Sequence, residues 1–149
     1  MTRHLAVVGA GRATAEQAAT AEQVGRAVAE AGALLVCGGL GGVMEAACRG
    51  ARQAGGTTLG ILPGTDRSQA NKYVDVAVPT GLGEARNALV VRAADALIAV
   101  AGEYGTLSEI ALALKVGKPV VGLGTWEIEG VVAASDAPDA VRRALDLAK

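Results

Sequence analysis

Ala96-Leu97-Ile98-Ala99-Val100 runs directly into Ala101-Gly102-Glu103-Tyr104-Gly105-Thr106-Leu107-Ser108-Glu109, and Ile110-Ala111-Leu112-Ala113-Leu114-Lys115 follows. The first five residues are an unbroken apolar run, the pattern of a strand buried on both faces. The last six read as a helix. Residues 100–109 are therefore a glycine turn between a strand and a helix. In a parallel α/β sheet such turns lie at the carboxyl edge, where ligands bind. The N–H groups that open a helix have no intrahelical partner, and with the helix dipole they form a site for anions. Two other glycine turns, Gly9-Ala10-Gly11-Arg12-Ala13 and Gly38-Gly39-Leu40-Gly41-Gly42, follow apolar runs in the same way. The expectation is that all three face one ligand carrying a phosphate or a similar anion.

The rest of the chain repeats the alternation. Residues 4–8 are the first strand. Thr14 opens a helix with Gln17 at capping-box spacing, and Ala21, Val24, Val28 and Ala31 form its apolar stripe. Gly32 ends it. Residues 33–37 are the second strand, and residues 43–53 a helix with Ala46, Ala47, Gly50 and Ala51 as a small-residue face. Residues 57–62 are the third strand, followed by a turn at Pro63-Gly64-Thr65-Asp66. Residues 74–78 alternate as a short strand, and residues 84–94 read as one helix. After the opening stretch, Gly117 closes its helix and residues 119–123 form a strand. Residues 131–134 suit an edge strand, and Asp136 caps a last helix through Leu147. Strands alternating with helices through short glycine links predict a single domain, residues 1–149. Its fold class is α/β: a Rossmann-like, doubly wound, mostly parallel sheet with helices on both faces.

Composition bounds the function. Hydrophobic residues make up 51% of the 149, with 21 Gly and no Phe, so the core is built of small aliphatic side chains. The formal net charge of -1 and the lack of a basic stripe argue against a nucleic-acid partner. No apolar stretch reaches the roughly 20 residues that span a bilayer, and residues 5–8 are too short for the core of a signal peptide. Cys37 and Cys48 form no CxxC pair and His4 is the only histidine, so a metal site is not expected. Both cysteines read as small buried hydrophobes in a reduced, cytoplasmic protein.

Each turn carries its own ambiguity. Gly9-Ala10-Gly11 fails as a dinucleotide fingerprint, because Thr14 stands at the third glycine position and Cys37, not an acid, ends the second strand. No resident cofactor is expected on that basis. Gly9 and Gly11 let a ligand approach the backbone or merely turn the chain, and Arg12 meets a phosphate or solvent. Gly38, Gly39, Gly41 and Gly42 are more glycine than a tight turn needs, at about 1 kcal/mol each against Ala. Close approach of a ligand is the natural cause. The turn lacks the Gly-Lys-Ser/Thr ending of a nucleoside-triphosphate loop. Thr106 and Glu109 have capping-box spacing, which explains both by helix capping. Alternatively, Glu109 is a carboxylate in the cleft, orienting a ribose hydroxyl or stabilising a cationic sugar-like transition state. Arg86 falls in a first helical turn, where the dipole disfavours a cation. It would clamp a phosphate or pair with Glu109.

At these residues the chain resembles the LOG-like (SLOG) superfamily. The resemblance is carried by Gly38-Gly39-x-Gly41-Gly42-Val43-Met44, Glu84-x-Arg86-Asn87, and Gly105-Thr106-x-x-Glu109 with Gly117-Lys118-Pro119. Its Lonely Guy members are phosphoribohydrolases, and other relatives bear the description "possible lysine decarboxylase". Ile61-Leu62-Pro63-Gly64, Ala70-Asn71 and Leu107-Ser108-Glu109-Ile110 look closer to a small branch with molybdenum-cofactor carrier proteins. The resemblance implies a small-molecule nucleotide or a phosphorylated cofactor as ligand, with no membrane partner, and a homodimer. It places Arg86 and Glu109 as catalytic groups if the chain is a nucleoside 5'-monophosphate phosphoribohydrolase. Gly9, Gly11, Arg12, Gly38, Gly39, Gly41, Gly42, Met44, Asn87, Gly102, Gly105 and Thr106 then bind ligand. The alternative it implies is a non-catalytic carrier of a cofactor such as the molybdenum cofactor. Two positions depart from the Lonely Guy pattern: Asn87 stands for a lysine, and Ala101-Gly102-Glu103 for Pro-Gly-Gly. Nothing marks a lysine for a pyridoxal Schiff base.

Overall fold

A computed structural model describes residues 1–149. Seven strands form one sheet in the order β4-β3-β2-β1-β5-β6-β7. They are β1 His4–Gly9, β2 Leu34–Cys37, β3 Thr58–Leu62, β4 Val76–Pro79, β5 Ala96–Val100, β6 Val120–Leu123 and β7 Val131–Ala133. Every neighbouring pair is parallel, the edge strand β7 included. The helices are α1 Ala15–Glu30, α2 Val43–Gln53, α3 Asn87–Ala93, α4 Tyr104–Lys115 and α5 Ala137–Leu147. Successive side chains of a strand point to opposite faces, and both faces here are covered. Leu5, Val7, Leu35 and Ile98 pack under α1, α2 and α5 with Val24, Val28, Ala47 and Val141. Ala6, Val8, Leu97 and Ala99 pack under α3 and α4 with Val90, Val91, Ile110 and Ala113. This is the expected doubly wound α/β fold. No helix is long and apolar enough to cross a membrane.

Small residues set the spacing of the first layer. A Cβ on Gly25 of α1 would lie 1.9 Å from the Ala47 carbonyl oxygen, and one on Gly50 of α2 1.9 Å from that of Glu22. The two helices therefore cross backbone against backbone, which no larger residue permits.

Three sequence expectations shift. Residues 84–94 are not one helix: Gly83–Arg86 is a 3-10 turn and α3 starts at Asn87. β4 loses Val74 and Asp75, because the Asp75 carboxylate turns back to accept from Thr58 N–H at 2.9 Å. α4 begins at Tyr104, six residues before Ile110.

Candidate functional site

The strand order reverses between β1 and β5, and in an open parallel sheet that switch point is where a crevice forms at the carboxyl edge. The chain leaving β1 goes to α1 on one face, and the chain leaving β5 goes to α4 on the other. Between them lies a cavity of about 400 Å³, within the roughly 300–1,000 Å³ usual for small-molecule sites. Of the sequence candidates, Gly9, Gly11, Met44, Arg86 and Asn87 line it, together with Gly105, Thr106 and Glu109. Arg12 and Gly102 line a neighbouring groove that shares Ala10 and Glu103 with the cavity. Gly38, Gly39, Gly41 and Gly42 line neither. Leu40, Pro63, Gly83 and Glu84 also border the cavity. Reading the sequence does not name these as site residues, although Leu40, Pro63 and Glu84 fall within residues 38–42, 61–64 and 84–87, stretches it singles out.

The three glycine turns differ in what they offer. α1 is capped by its own side chains: Gln17 N–H donates to Thr14 Oγ1 and Thr14 N–H to Gln17 Oε1, each at 3.1 Å. At α2 the Val43 N–H donates to the Ala10 carbonyl at 3.0 Å, so the first turn takes one of that helix's opening N–H groups. At α4 the N-cap is Glu103, and no side chain caps the helix. Its first N–H groups are left for solvent or a ligand. Protein packing accounts for most of the glycines at 38–42. A Cβ would lie 2.7 Å from Arg86 Nη2 at Gly38, 2.6 Å from Leu62 Cδ2 at Gly39 and 2.3 Å from the Ala10 oxygen at Gly42. Close approach of a ligand is not what excludes side chains at these positions.

The turn after β5 is tight. Ala101 is the only non-glycine residue at positive φ, 50°, and Gly102 follows at 118°. An alanine there is strained by about 1–3 kcal/mol. Thr125 Oγ1 donates to the Ala101 carbonyl at 2.5 Å and holds the turn from β6. This sharp exit lets α4 start at Tyr104 and removes the Thr106-x-x-Glu109 capping box. Thr106 sits inside the first turn and Glu109 in the second, 3% and 7% exposed. Glu109 is thus a buried carboxyl group with no capping task.

Arg86 closes the 3-10 turn and occupies the N-cap position of α3. It is 9% exposed. Its Nη1 donates to Asn87 Oδ1 and its Nη2 to the Gly38 carbonyl at 3.5 Å. Its Nε has no partner. Asn87 Nδ2 in turn donates to Ser108 Oγ of α4 at 3.3 Å. No carboxylate forms an ion pair with Arg86. A buried cation without a bonded anion costs several kcal/mol, and here it faces a cavity. Burial pushes the Glu109 carboxyl up to about 7, against a smaller opposite pull from the Arg86 charge. Glu84 and Glu103, also on the lining, are exposed. Behind the Gly38 turn, Cys37 and Cys48 are fully buried free thiols, sulfurs 3.5 Å apart.

Comparison with known proteins shows what the chain as a whole is similar to. A family model described as the SLOG cluster4 family matches residues 2–146. An uncharacterised protein of Archaeoglobus fulgidus is 47% identical over 119 residues, 80% of this chain and 78% of the other. The molybdenum cofactor binding protein of Rippkaea orientalis superposes with a TM-score of 0.93 at 36% identity, over 100% of this chain and 99% of the other. The Moco carrier protein of Chlamydomonas reinhardtii superposes with a TM-score of 0.89 at 37% identity, over 99% and 98%.

Proposed function

The chain belongs to the SLOG cluster4 family, and from that premise we propose that it is a carrier for a phosphorylated small-molecule cofactor of the molybdenum-cofactor kind, held at the carboxyl edge of the sheet. One observation carries the reading: the buried Arg86 guanidinium has an unpartnered Nε and lines the cavity beside the uncapped start of α4. A guanidinium and a helix N-terminus are the two groups that suit a phosphate. Asn87 and Ser108 link Arg86 to α4 by hydrogen bonds. The likeness to proteins described as binding or carrying the molybdenum cofactor supports the carrier role. No group of three or more His, Cys, Asp or Glu side chains is placed to hold a metal ion, so recognition falls on the organic part of such a cargo.

The test is direct. Ribose 5-phosphate at about 100 times its dissociation constant adds about 2.7 kcal/mol to the unfolding free energy. Arg86→Gln removes that gain, and Arg86→Lys keeps part of it because the charge stays while the fork is lost. If neither ribose 5-phosphate nor inorganic phosphate stabilises the wild-type protein, the reading fails. Its carrier half predicts pterin fluorescence in oxidised extracts of protein purified without oxygen from a host that makes the cofactor.

A second reading has its own support. Glu109 has no capping role, and its carboxyl lies near 7, the range of a working acid or base. In this version its carboxylate stabilises an oxocarbenium-like ribose and positions water: the N-glycosidic bond of a nucleoside 5'-monophosphate breaks, water adds at C1′, and the proton that water gives up leaves with the base, so the products are the free base and ribose 5-phosphate. Glu109→Gln would then abolish base release with little loss of binding. A wild-type protein that frees no base from AMP, GMP, CMP or UMP rules this version out.

A further inference from the structure

The side chains of Glu103, Tyr104 and Trp126 stand around the start of α4 and are not among the groups assigned to the phosphate. The chain has one Trp and two Tyr, and two of these three rings meet here, centroids 6.3 Å apart and planes at 30°. The Trp126 Nε1–H donates to the Glu103 carbonyl at 3.2 Å, which fixes the indole against the turn. Tyr104, the first residue of α4, is 82% exposed. It leaves a ring in water that burial would ordinarily stabilise. Trp126 lines the groove beside the cavity, and Glu103 borders both spaces. The Glu103 carboxylate is exposed and enters none of the chain's ion pairs.

A carboxylate at this place repels a phosphate. It does suit a pair of adjacent N–H donors, because its two oxygens accept side by side. Exposed aromatic faces stack planar heterocycles. We propose that Glu103, Tyr104 and Trp126 form a subsite for a planar heterocycle that presents two adjacent N–H donors, as the 2-amino-4-oxopyrimidine edge of guanine or a pterin does. The proposal rests on Arg86 as the phosphate anchor. The ring lies over Tyr104 and Trp126, its donor edge meets Glu103, and the phosphate reaches Arg86 across the shared wall. The same arrangement gives a role to the carboxylate that departs from the Lonely Guy pattern.

The single tryptophan makes the test spectroscopic. GMP, IMP and ribose 5-phosphate are titrated against the wild-type protein while Trp126 emission and affinity are followed. GMP quenches Trp126 and binds roughly tenfold tighter than ribose 5-phosphate, the size of one stacked base. IMP, which lacks the 2-amino group, falls between them. Tyr104→Ala brings GMP down towards ribose 5-phosphate, and Glu103→Gln narrows the gap between GMP and IMP. Tyr104→Ala leaves ribose 5-phosphate binding unchanged, and Glu103→Gln strengthens it by removing the repulsion of the carboxylate. If ribose 5-phosphate binds but GMP gains nothing and Trp126 stays silent, the subsite is wrong and the phosphate anchor stands. If the variants weaken ribose 5-phosphate as much as GMP, they act on the fold and the subsite is equally wrong. If none of the three binds, the anchor fails and the subsite with it.

Discussion

Glu109 holds the largest change between sequence and structure at a single residue. Its spacing from Thr106 matches a capping box, and that local signal was sound as a pattern. It failed because the helix start is chosen by tertiary contact, not by the best local cap. Thr125 pins the Ala101 carbonyl, the chain turns at Ala101 and Gly102, and α4 opens early at Glu103. Glu109 is then carried into a buried second turn. A buried carboxyl raised to about 7 binds more protons folded than unfolded between its ordinary 4.5 and 7. Stability therefore falls as pH rises through that window, and the whole cost, about 3 kcal/mol, is present above pH 7. Glu109→Gln removes it. Urea unfolding of wild type and variant at pH 4 and pH 8 should show the variant gaining up to that amount on the wild type as pH rises. A gap that stays constant with pH would mean that Glu109 is not buried as described. Arg86 was legible as a residue out of place, since its charge fits no local need. Its burial and its orphaned Nε were not legible, because both come from Gly38, Asn87 and Ser108 folding around it.

At the scale of elements, the starts and stops written in short-range chemistry were readable. Thr14 and Gln17 form the expected capping box, and α2 spans the expected residues 43–53. α5 begins at the expected cap, where Asp136 accepts from Asp139 N–H at 2.9 Å. Asp139 answers in the other direction: Ser135 N–H at 2.9 Å and Arg143 Nε at 3.0 Å hold its carboxyl down to about 2. Such a depressed group adds stability that is complete above its ordinary pKa of 3.8 and is lost as pH falls towards 2. Asp139→Asn should lower the melting temperature at pH 7, and the deficit should shrink between pH 4 and pH 2. A deficit unchanged by acid would assign the effect to packing. The glycine turns mark the limit of this kind of reading. Gly38, Gly39 and Gly42 signal close approach correctly, but the sequence does not say what approaches. It is Arg86, Leu62 and the Ala10–Gly11 backbone.

At the scale of the whole molecule, the two halves of the sheet meet at β1 and β5, and the cavity takes walls from both. A ligand there bridges elements distant in sequence. Hydrogen exchange with GMP bound should slow together at residues 9–14 and 102–109, with little change at the amino edge around residues 33–35 and 117–120. Protection confined to one segment would place the ligand outside the switch point. The α/β class was legible throughout, because the central strands are apolar runs buried on both faces, the edge strands β4 and β7 are short and partly exposed, and the helices between them carry small apolar stripes. The strand order was not, since apolar runs of four to six residues pair equally well in several orders.

What the amino-acid sequence determined by itself is whatever depends on neighbours in the chain: the alternation of strands and helices, the caps at Thr14 and Asp136, the glycine turns and the small aliphatic core. Hydrogen bonds over three or four residues and side-chain periodicity are enough to write these. The tertiary structure alone decided how far each helix start is occupied by the chain itself. At α1 the Gln17 N–H is taken by Thr14 and at α2 the Val43 N–H by the Ala10 carbonyl, whereas α4, the helix reached through the strained Ala101–Gly102 turn, has no such partner at its start. It also decided that Arg86 and Glu109 share one cavity. Burial and long-range charge have no local signature, since they are set by which distant elements close over a side chain, and in this protein the candidate site is made of both.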